Sequence, residues 1–381
     1  VAPSDLSPAF PGLFESDMNA TNSSRAVLQP VDGMGYATSP NEGRLTSSVS
    51  AIIMFCGTFM SLFFSRRWLS ALFMLPSLVM AAPPVTTEFS LDNGLKVLVR
   101  EDHRSPVVVA QGWYRVGSSY EPQGLTGMSH ALEHMMFKGT TLVPNGEFSR
   151  IVSMYGGEDN AFTTDDYTAY YQIYTADKLA LALELEADRM QHVVFKPDEV
   201  AQEMRVVMEE RRQRTDDNPQ SLALERFHAL AWLTSASRQP TVGWMRDLQA
   251  LTLEDLQHWY KTWYAPNNAT LVIVGDVEPA AVKALVEKYF AGIPSQELPK
   301  VVVPRELDTP GERQLTLRLP GKVPALYVGF NVPSRHTAQP GEAEALHLLA
   351  GVLDGGFSAR LETRLVREQR VAAAVSSGYD P

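Results

Sequence analysis

The chain has 381 residues, enough for about two domains, and its 45% hydrophobic and 20% charged residues are ordinary for a globular protein. Its 33 basic against 44 acidic residues leave a net charge of -11, which argues against a broad phosphate-binding surface and so against nucleic acid as a partner. With Cys56 as the single cysteine, an intrachain disulfide is excluded.

Residues 1–59 are rich in Ser, Asn and Pro and then apolar from Ala51; they read as a non-structural or wrongly assigned extension, with Met60 as the initiator. Arg66 and Arg67 precede the apolar run Trp68 to Val79, which closes on Val79-Met80-Ala81 with small residues where a signal peptidase reads. A signal peptide over 60–81 and a periplasmic or secreted mature chain are the expectation. The alternative is a membrane anchor over 51–81, but the two arginines interrupt a run that needs about 20 apolar residues to span, so no stable span is expected in the mature chain.

From Thr87 the pattern is that of a folded domain. Phe89 and Leu91 alternate, Asn93-Gly94 makes a turn, and Leu95, Val97 and Val99 alternate back, which predicts a hairpin. A strand follows over Val107 to Val116, then a helix from Thr126 to Lys138 with Gly139 as its stop. Gly156-Gly157 breaks the chain before strands around Asn160 to Thr163 and Thr168 to Tyr174. Helical periodicity runs from Ala176 to Tyr264, Ala269 to Val274 reads as a buried strand, and Pro279 to Phe290 as a helix. Hairpins mixed with blocks of helices give an α+β class rather than a regular parallel sheet. Residues 85–293 thus form a first domain, 294–311 (with Pro294, Pro299, Pro304 and Pro310) a linker, and 312–381 the start of a second domain. The latter has expected strands at Leu315 to Leu319 and Leu326 to Phe330 and a helix at Glu342 to Leu353.

The chemistry concentrates in the helix around Ser129 to Phe137. There His130, Glu133 and His134 share one face with Phe137, while Met128, Ala131, Leu132, Met135 and Met136 cover the others. A helix apolar nearly all round is buried, and two imidazoles with a carboxylate then need a partner; a divalent cation bound by both histidines answers that need. His-x-x-Glu-His is also the spacing of inverted zinc peptidases. A zinc ion requires a third protein ligand and an open position. Glu210 is the best candidate, because it shares a helix face with Val206, Val207 and Glu203, whereas Glu209 lies with Gln202, Arg205 and Arg212 toward solvent. Glu203 is either a carboxylate that orients a ligand from behind or one half of a buried ion pair with an arginine.

The run Gly127-Met128-Ser129-His130-Ala131-Leu132-Glu133-His134-Met135-Met136-Phe137-Lys138-Gly139-Thr140 resembles the signature of the pitrilysin family, which includes insulysin and the mitochondrial processing peptidases. The resemblance continues through Gly156-Gly157, Asn160-Ala161-Phe162-Thr163, Trp263-Tyr264-Ala265-Pro266-Asn267-Asn268 and Val274-Gly275-Asp276. It implies tandem metallopeptidase-like domains, each an antiparallel-rich sheet packed with helices, the second incomplete here. It implies one Zn2+ per chain held by His130, His134 and Glu210, with Glu203 on the position of the family's second helix glutamate. Glu133 is then the general base of a zinc endopeptidase acting on peptides or unfolded proteins.

By the same resemblance the segment Asn160 to Thr163 is an edge strand that pairs with an extended peptide, with Asn160, Ala161 and Phe162 as substrate-binding residues and Asn160 close to the reacting carbonyl; for Asn160 simple turn chemistry after Gly-Gly is the alternative. Val366 and Ala373 fall where the family usually carries an Arg and a Tyr that steady the substrate, and Arg367 is one residue out of register. That departure implies a heterodimer whose metal-less sister subunit supplies both groups. The competing reading is a non-catalytic structural or peptide-binding relative, against which stands the retention of all three ligands.

Overall fold

The computed structural model describes residues 86–302, 304–307 and 311–381. The expected extension and export signal lie outside the described residues, as do positions 303 and 308–310 of the expected linker.

The alternating segments form a six-stranded sheet. Strands β1 (Thr86–Ser90) and β2 (Lys96–Glu101) make the expected hairpin, with Phe89 opposite Val97. After β3 (Val107–Tyr114) come two short helices, α1 (Met128–Met135) and α2 (Glu147–Met154), and then the hairpin of β4 (Glu158–Thr163) with β5 (Thr168–Thr175). The helical block comprises α3 (Leu179–His192), α4 (Pro197–Arg211), a π-helical turn at Arg212–Asp216, α5 (Pro219–Ala231), α6 (Met245–Leu248) and α7 (Leu253–Trp263). Strand β6 (Ala269–Gly275) and helix α8 (Pro279–Phe290) follow. The sheet order is β1-β2-β6-β3-β5-β4, and every pairing is antiparallel except β2 with β6. Strand β6 thus inserts between β2 and β3, and among the described residues β4 is left as a free edge.

Period-two alternation decides which face packs. Val97, Val99, Val108, Tyr114, Tyr170 and Ile273 are fully buried, and each of the aliphatic ones contributes roughly 1.5–3 kcal/mol of hydrophobic stabilisation. Against the sheet lie α3 on β3 and β5, α8 on β2, and α1 on β4 and β5. Gly112 permits the approach of α3, since a Cβ there would collide with the Glu186 carboxylate. Glu186 pairs in turn with Arg189, a fully buried guanidinium enclosed by the rings of Phe137, Phe148 and Tyr170.

Three local expectations change. The helix expected over 126–138 is confined to Met128–Met135, because Gly127 at φ +86 and a series of turns through Lys138 take up its two ends. Helix α2 has no counterpart in the sequence reading. The segments Leu315 to Leu319 and Leu326 to Phe330 are not strands. They find no ladder partner among the described residues, and an extended chain without one is not held in a sheet; Leu317, Val328 and Phe330 remain exposed. Helix α9 (Glu342–Asp354) forms as expected and is followed by a π-helical segment at Glu362–Glu368. No described helix is long and apolar enough to cross a membrane.

Candidate metal centre

Helix α1 is held at both ends by groups outside it. It begins at Gly127, whose left-handed backbone lets it lie against Val242 and Gly243, where a Cβ would come within 2.5 Å of the Val242 carbonyl. No side chain of the cap residue is available, so the buried Glu121 carboxylate takes the role, accepting from the N–H groups of Gly127 at 2.7 Å and Ser129 at 2.6 Å. Burial pushes Glu121 up to about 8, against the pull of those two hydrogen bonds. Trp259 of α7 donates to Ser129 Oγ at 3.1 Å. Met128, Ala131, Leu132, Met135 and Met136 are each at most 3% exposed, so the helix is apolar and dry on the faces where its sequence is apolar.

On the remaining face His130 and His134 meet edge to face, with ring centroids 4.7 Å apart. Helix α4, running beside α1, brings Glu210 to them: His130 Nε2 lies 3.6 Å from Oε1 and His134 Nε2 lies 3.3 Å from Oε2. The face assignment on α4 holds, since the Glu210 side chain is 17% exposed and that of Glu209 53%. Glu203, two turns earlier, accepts from His134 Nδ1 at 2.9 Å and from Lys138 Nζ at 2.5 Å. Glu203 thus touches His134 from behind, and its ion-pair partner is Lys138 and not the arginine expected.

Glu133 is half-buried on the same face of α1, with Oε2 accepting from the Thr163 hydroxyl at 2.5 Å. Of the three expected substrate-binding residues, none bonds to His130, Glu133, His134 or Glu210 among the described residues. Asn160 Oδ1 accepts from the Ala161 N–H at 2.8 Å, and Phe162 stacks edge-on with Trp113 at 5.6 Å and Tyr167 at 6.1 Å.

The donor set fits a tetrahedral zinc ion. One ring nitrogen of each histidine and one Glu210 oxygen lie within 4.8 Å of one another, and the shortest nitrogen-to-carboxylate separations, 3.6 and 3.3 Å to the two different oxygens of Glu210, are near the spacing of about 3.3 Å between neighbouring ligands on a tetrahedral zinc. His130 Nε2 and His134 Nε2 are the nitrogens that face Glu210, while His130 Nδ1 is buried with no hydrogen-bond partner among the described residues. The charges argue the same way. Burial, reinforced by His134, lowers His130 to about 4. Burial lowers His134 too, but Glu203 and Glu210 outweigh it and raise the imidazole to about 9, so a proton occupies the centre of the carboxylates where a cation would sit. Burial alone would raise Glu203 and Glu210; their contacts with His134, and with Lys138 and His130 respectively, hold both below the usual range.

A pH dependence follows. A metal requires neutral imidazoles: His130 is already neutral near pH 7, while His134 must release its proton. Zinc affinity of the metal-free protein is therefore expected to rise about tenfold per pH unit toward pH 9 and then to level off. Competition with a chromophoric chelator across that range measures the slope, and a flat profile would show that no ligand proton is displaced.

Several contacts at the centre are not anticipated by the sequence. Thr163 and Lys138 could have been found, the first from strand alternation against Phe162 and the second from its i+4 relation to His134. Arg214, whose Nη1 is 2.7 Å from Glu210 Oε1, reaches back from the π-helical turn and had no periodic signal. Neither had Arg211, which is buried at the end of α4 and bound to Glu225, Asp216 and the Gly243 carbonyl.

The pattern of the Insulinase (Peptidase family M16) family matches residues 96–243, and that of the Peptidase M16 inactive domain matches 250–381, together more than half of the chain. A Zinc protease PqqE of Helicobacter pylori is 33% identical over 299 residues, which are 77% of this chain and 66% of that protein. The crystal structure of a protease from Helicobacter pylori superposes with a TM-score of 0.56 at 35% identity, covering 59% of this chain and 54% of that one. The first half of the periplasmic protease PqqL from Escherichia coli shares the fold, with a TM-score of 0.53 at 24% identity over 59% of this chain and 50% of that one. The chain spans about two thirds of the length of the curated relatives it matches.

Proposed function

Since the chain belongs to the insulinase family of metallopeptidases, M16, we propose that it is the metal-bearing subunit of a zinc-dependent endopeptidase that cuts peptides or unfolded proteins. The observation that carries this reading is the convergence of His130, His134 and Glu210 beside an additional carboxylate, Glu133, that is not needed as a ligand. When bound, zinc would supply the positive charge that polarises a scissile carbonyl and acidifies the attacking water.

The remaining work belongs to the chain. Glu203 accepts the Nδ1 proton of His134 and so keeps Nε2 turned to Glu210. Burial raises Glu133, despite the opposing Thr163 hydrogen bond, which moves it toward neutrality and suits it to take a proton from water and return it to the leaving amine. The free edge of β4 receives the substrate as an added strand. There the Ala161 N–H, now capped by the Asn160 side chain, would be exchanged to the peptide, and Phe162 with Trp113 and Tyr167 would offer an apolar surface to its side chains.

A sister subunit completes the reading. Val366 and Ala373 stand where an Arg and a Tyr are expected, and Arg367 is committed within its own segment to the Phe357 carbonyl, the Phe357 ring and Thr363. Export to the periplasm, from the apolar run ending at Ala81, is part of the same proposal.

The test is zinc content together with cleavage of a quenched peptide library, with and without the product of a neighbouring sister gene. We expect about one zinc per chain, loss of cleavage on chelation with recovery on zinc addition, and weak activity without the sister. A chain that holds zinc stoichiometrically yet cuts nothing with either subunit arrangement would end the proposal.

A further inference from the structure

The hydrogen bond from Thr163 to Glu133 joins two parts of the molecule that the sequence keeps apart, the docking edge and the helix of the metal centre. Its geometry can be followed from the hairpin outward. The Thr164 N–H donates to the Tyr167 carbonyl at 2.8 Å, closing the β4–β5 turn. In an antiparallel pair the bonded positions alternate, so Phe162 opposite Ala169 and Asn160 opposite Tyr171 exchange ladder bonds, while Thr163 and Ala161 aim their N–H and C=O groups off the sheet. The Ala161 N–H agrees, since it is bonded to the Asn160 side chain and not to β5. Side chains alternate in the perpendicular direction: Phe162 lies on the outer face with Trp113, and Thr163 turns under the sheet toward α1.

Thr163 is itself held from behind. The Thr164 and Asp165 carbonyls accept from the N–H groups of Ser118 at 3.1 Å and Ser119 at 2.8 Å, and Ser118 Oγ donates to Asp165 at 3.0 Å. The neighbouring Thr168 hydroxyl spends its proton on the Val116 carbonyl at 2.9 Å. The Thr163 proton has the Glu133 carboxylate as its near acceptor, because an ionised carboxylate only accepts.

We propose that Thr163 is a positioning residue for Glu133: its hydroxyl anchors Oε2 and leaves Oε1 to exchange the proton of the attacking water, while its main chain lies on the edge that receives the peptide. The inference rests on the endopeptidase reading and adds to it a link between substrate docking and the base. An extended peptide that pairs along β4 stiffens the strand that aims the carboxylate. A misdirected base loses rate without losing substrate, and displacement of a reacting group by about 1 Å costs on the order of 100-fold.

The test compares Thr163→Val, which keeps the shape and removes the donor, with Thr163→Ser, which keeps the donor, in the full chain with any sister subunit present. For Thr163→Val we expect kcat to fall about 10- to 100-fold, with KM within about twofold and one zinc per chain retained; Thr163→Ser should return kcat to within about threefold of the parent. Crystal structures of both zinc-loaded variants give a readout that needs no turnover: Glu133 should leave its position in Thr163→Val and keep it in Thr163→Ser. Unchanged kcat in Thr163→Val, zinc loss that parallels the rate loss, failure of Thr163→Ser to rescue, or a Glu133 carboxylate that stays in place once the hydroxyl is gone would each overturn the proposal. If the parent chain cuts no peptide, the endopeptidase reading fails on its own, and the position of Glu133 in the two structures still decides the role of Thr163.

Discussion

Glu133→Gln is expected to lower peptide cleavage by about 10²- to 10⁴-fold while leaving the zinc in place. Gln has the size of Glu and can still accept the Thr163 hydrogen bond through its amide oxygen, so α1 and the side chains of His130, His134 and Glu210 have no reason to move. It cannot take up a proton. A positioned general base contributes about 10²- to 10⁴-fold, and kcat should drop by that much, with KM and thermal melting close to those of the parent. Steady-state kinetics and metal analysis on one preparation check both halves. The result separates an enzyme from a peptide-binding relative with structural zinc, because a structural site would bind peptide equally well with Gln at this position.

The second large effect is expected at Arg211, one residue beyond Glu210. Its side chain is 2% exposed, and its guanidinium reaches Glu225 at 2.7 Å, Asp216 at 3.2 Å and the Gly243 carbonyl at 2.8 Å, with the Trp244 ring 5.8 Å away. These contacts fasten the end of α4, and so Glu210, to α5 and to the loop on which Gly127 rests. Arg211→Met removes the buried cation and leaves the Glu225 carboxylate, itself 8% exposed, with the more exposed Arg226 at 3.3 Å as its remaining cation, so the loss should approach but not exceed the cost of about 3–5 kcal/mol for a buried pair broken from one side. Urea unfolding of the zinc-loaded proteins should show that loss, and Arg211→Met with Glu225→Leu should recover part of it, since an apolar pair leaves no buried charge behind. A single substitution costing less than about 1 kcal/mol would mean that the pair does not secure α4.

Much of this centre could be read before the fold was known, and the reason is local. Residues three and four apart on a helix share a face whatever surrounds it, so His130, Glu133 and His134 were grouped by spacing, and Glu210 was separated from Glu209 by the company each keeps around α4. The hairpin at Asn93-Gly94 and the strand β6 were legible for a similar reason, since turn chemistry and alternation are properties of short windows. The failures also have a common cause. The segments at 315–319 and 326–330 carry strand-like alternation, but alternation specifies only which side chains share a face and cannot supply the hydrogen-bonding neighbour that makes a strand. Helix α2 was missed because eight residues are too few for a periodic signal to stand out.

The amino-acid order alone determined the chemical inventory: which donors exist, that two imidazoles and a carboxylate lie on one side of a helix otherwise covered with methionine, alanine and leucine, and that a glutamate on another helix faces inward. Tertiary packing decided everything that depends on distance between elements. Glu203 meets His134 across 69 positions and Thr163 meets Glu133 across 30, contacts set by α1 settling between α4 and the edge of the sheet. Backbone periodicity loses its hold within a few turns, whereas a metal site is closed by side chains from separate elements, and only the packing of those elements brings them within hydrogen-bonding reach.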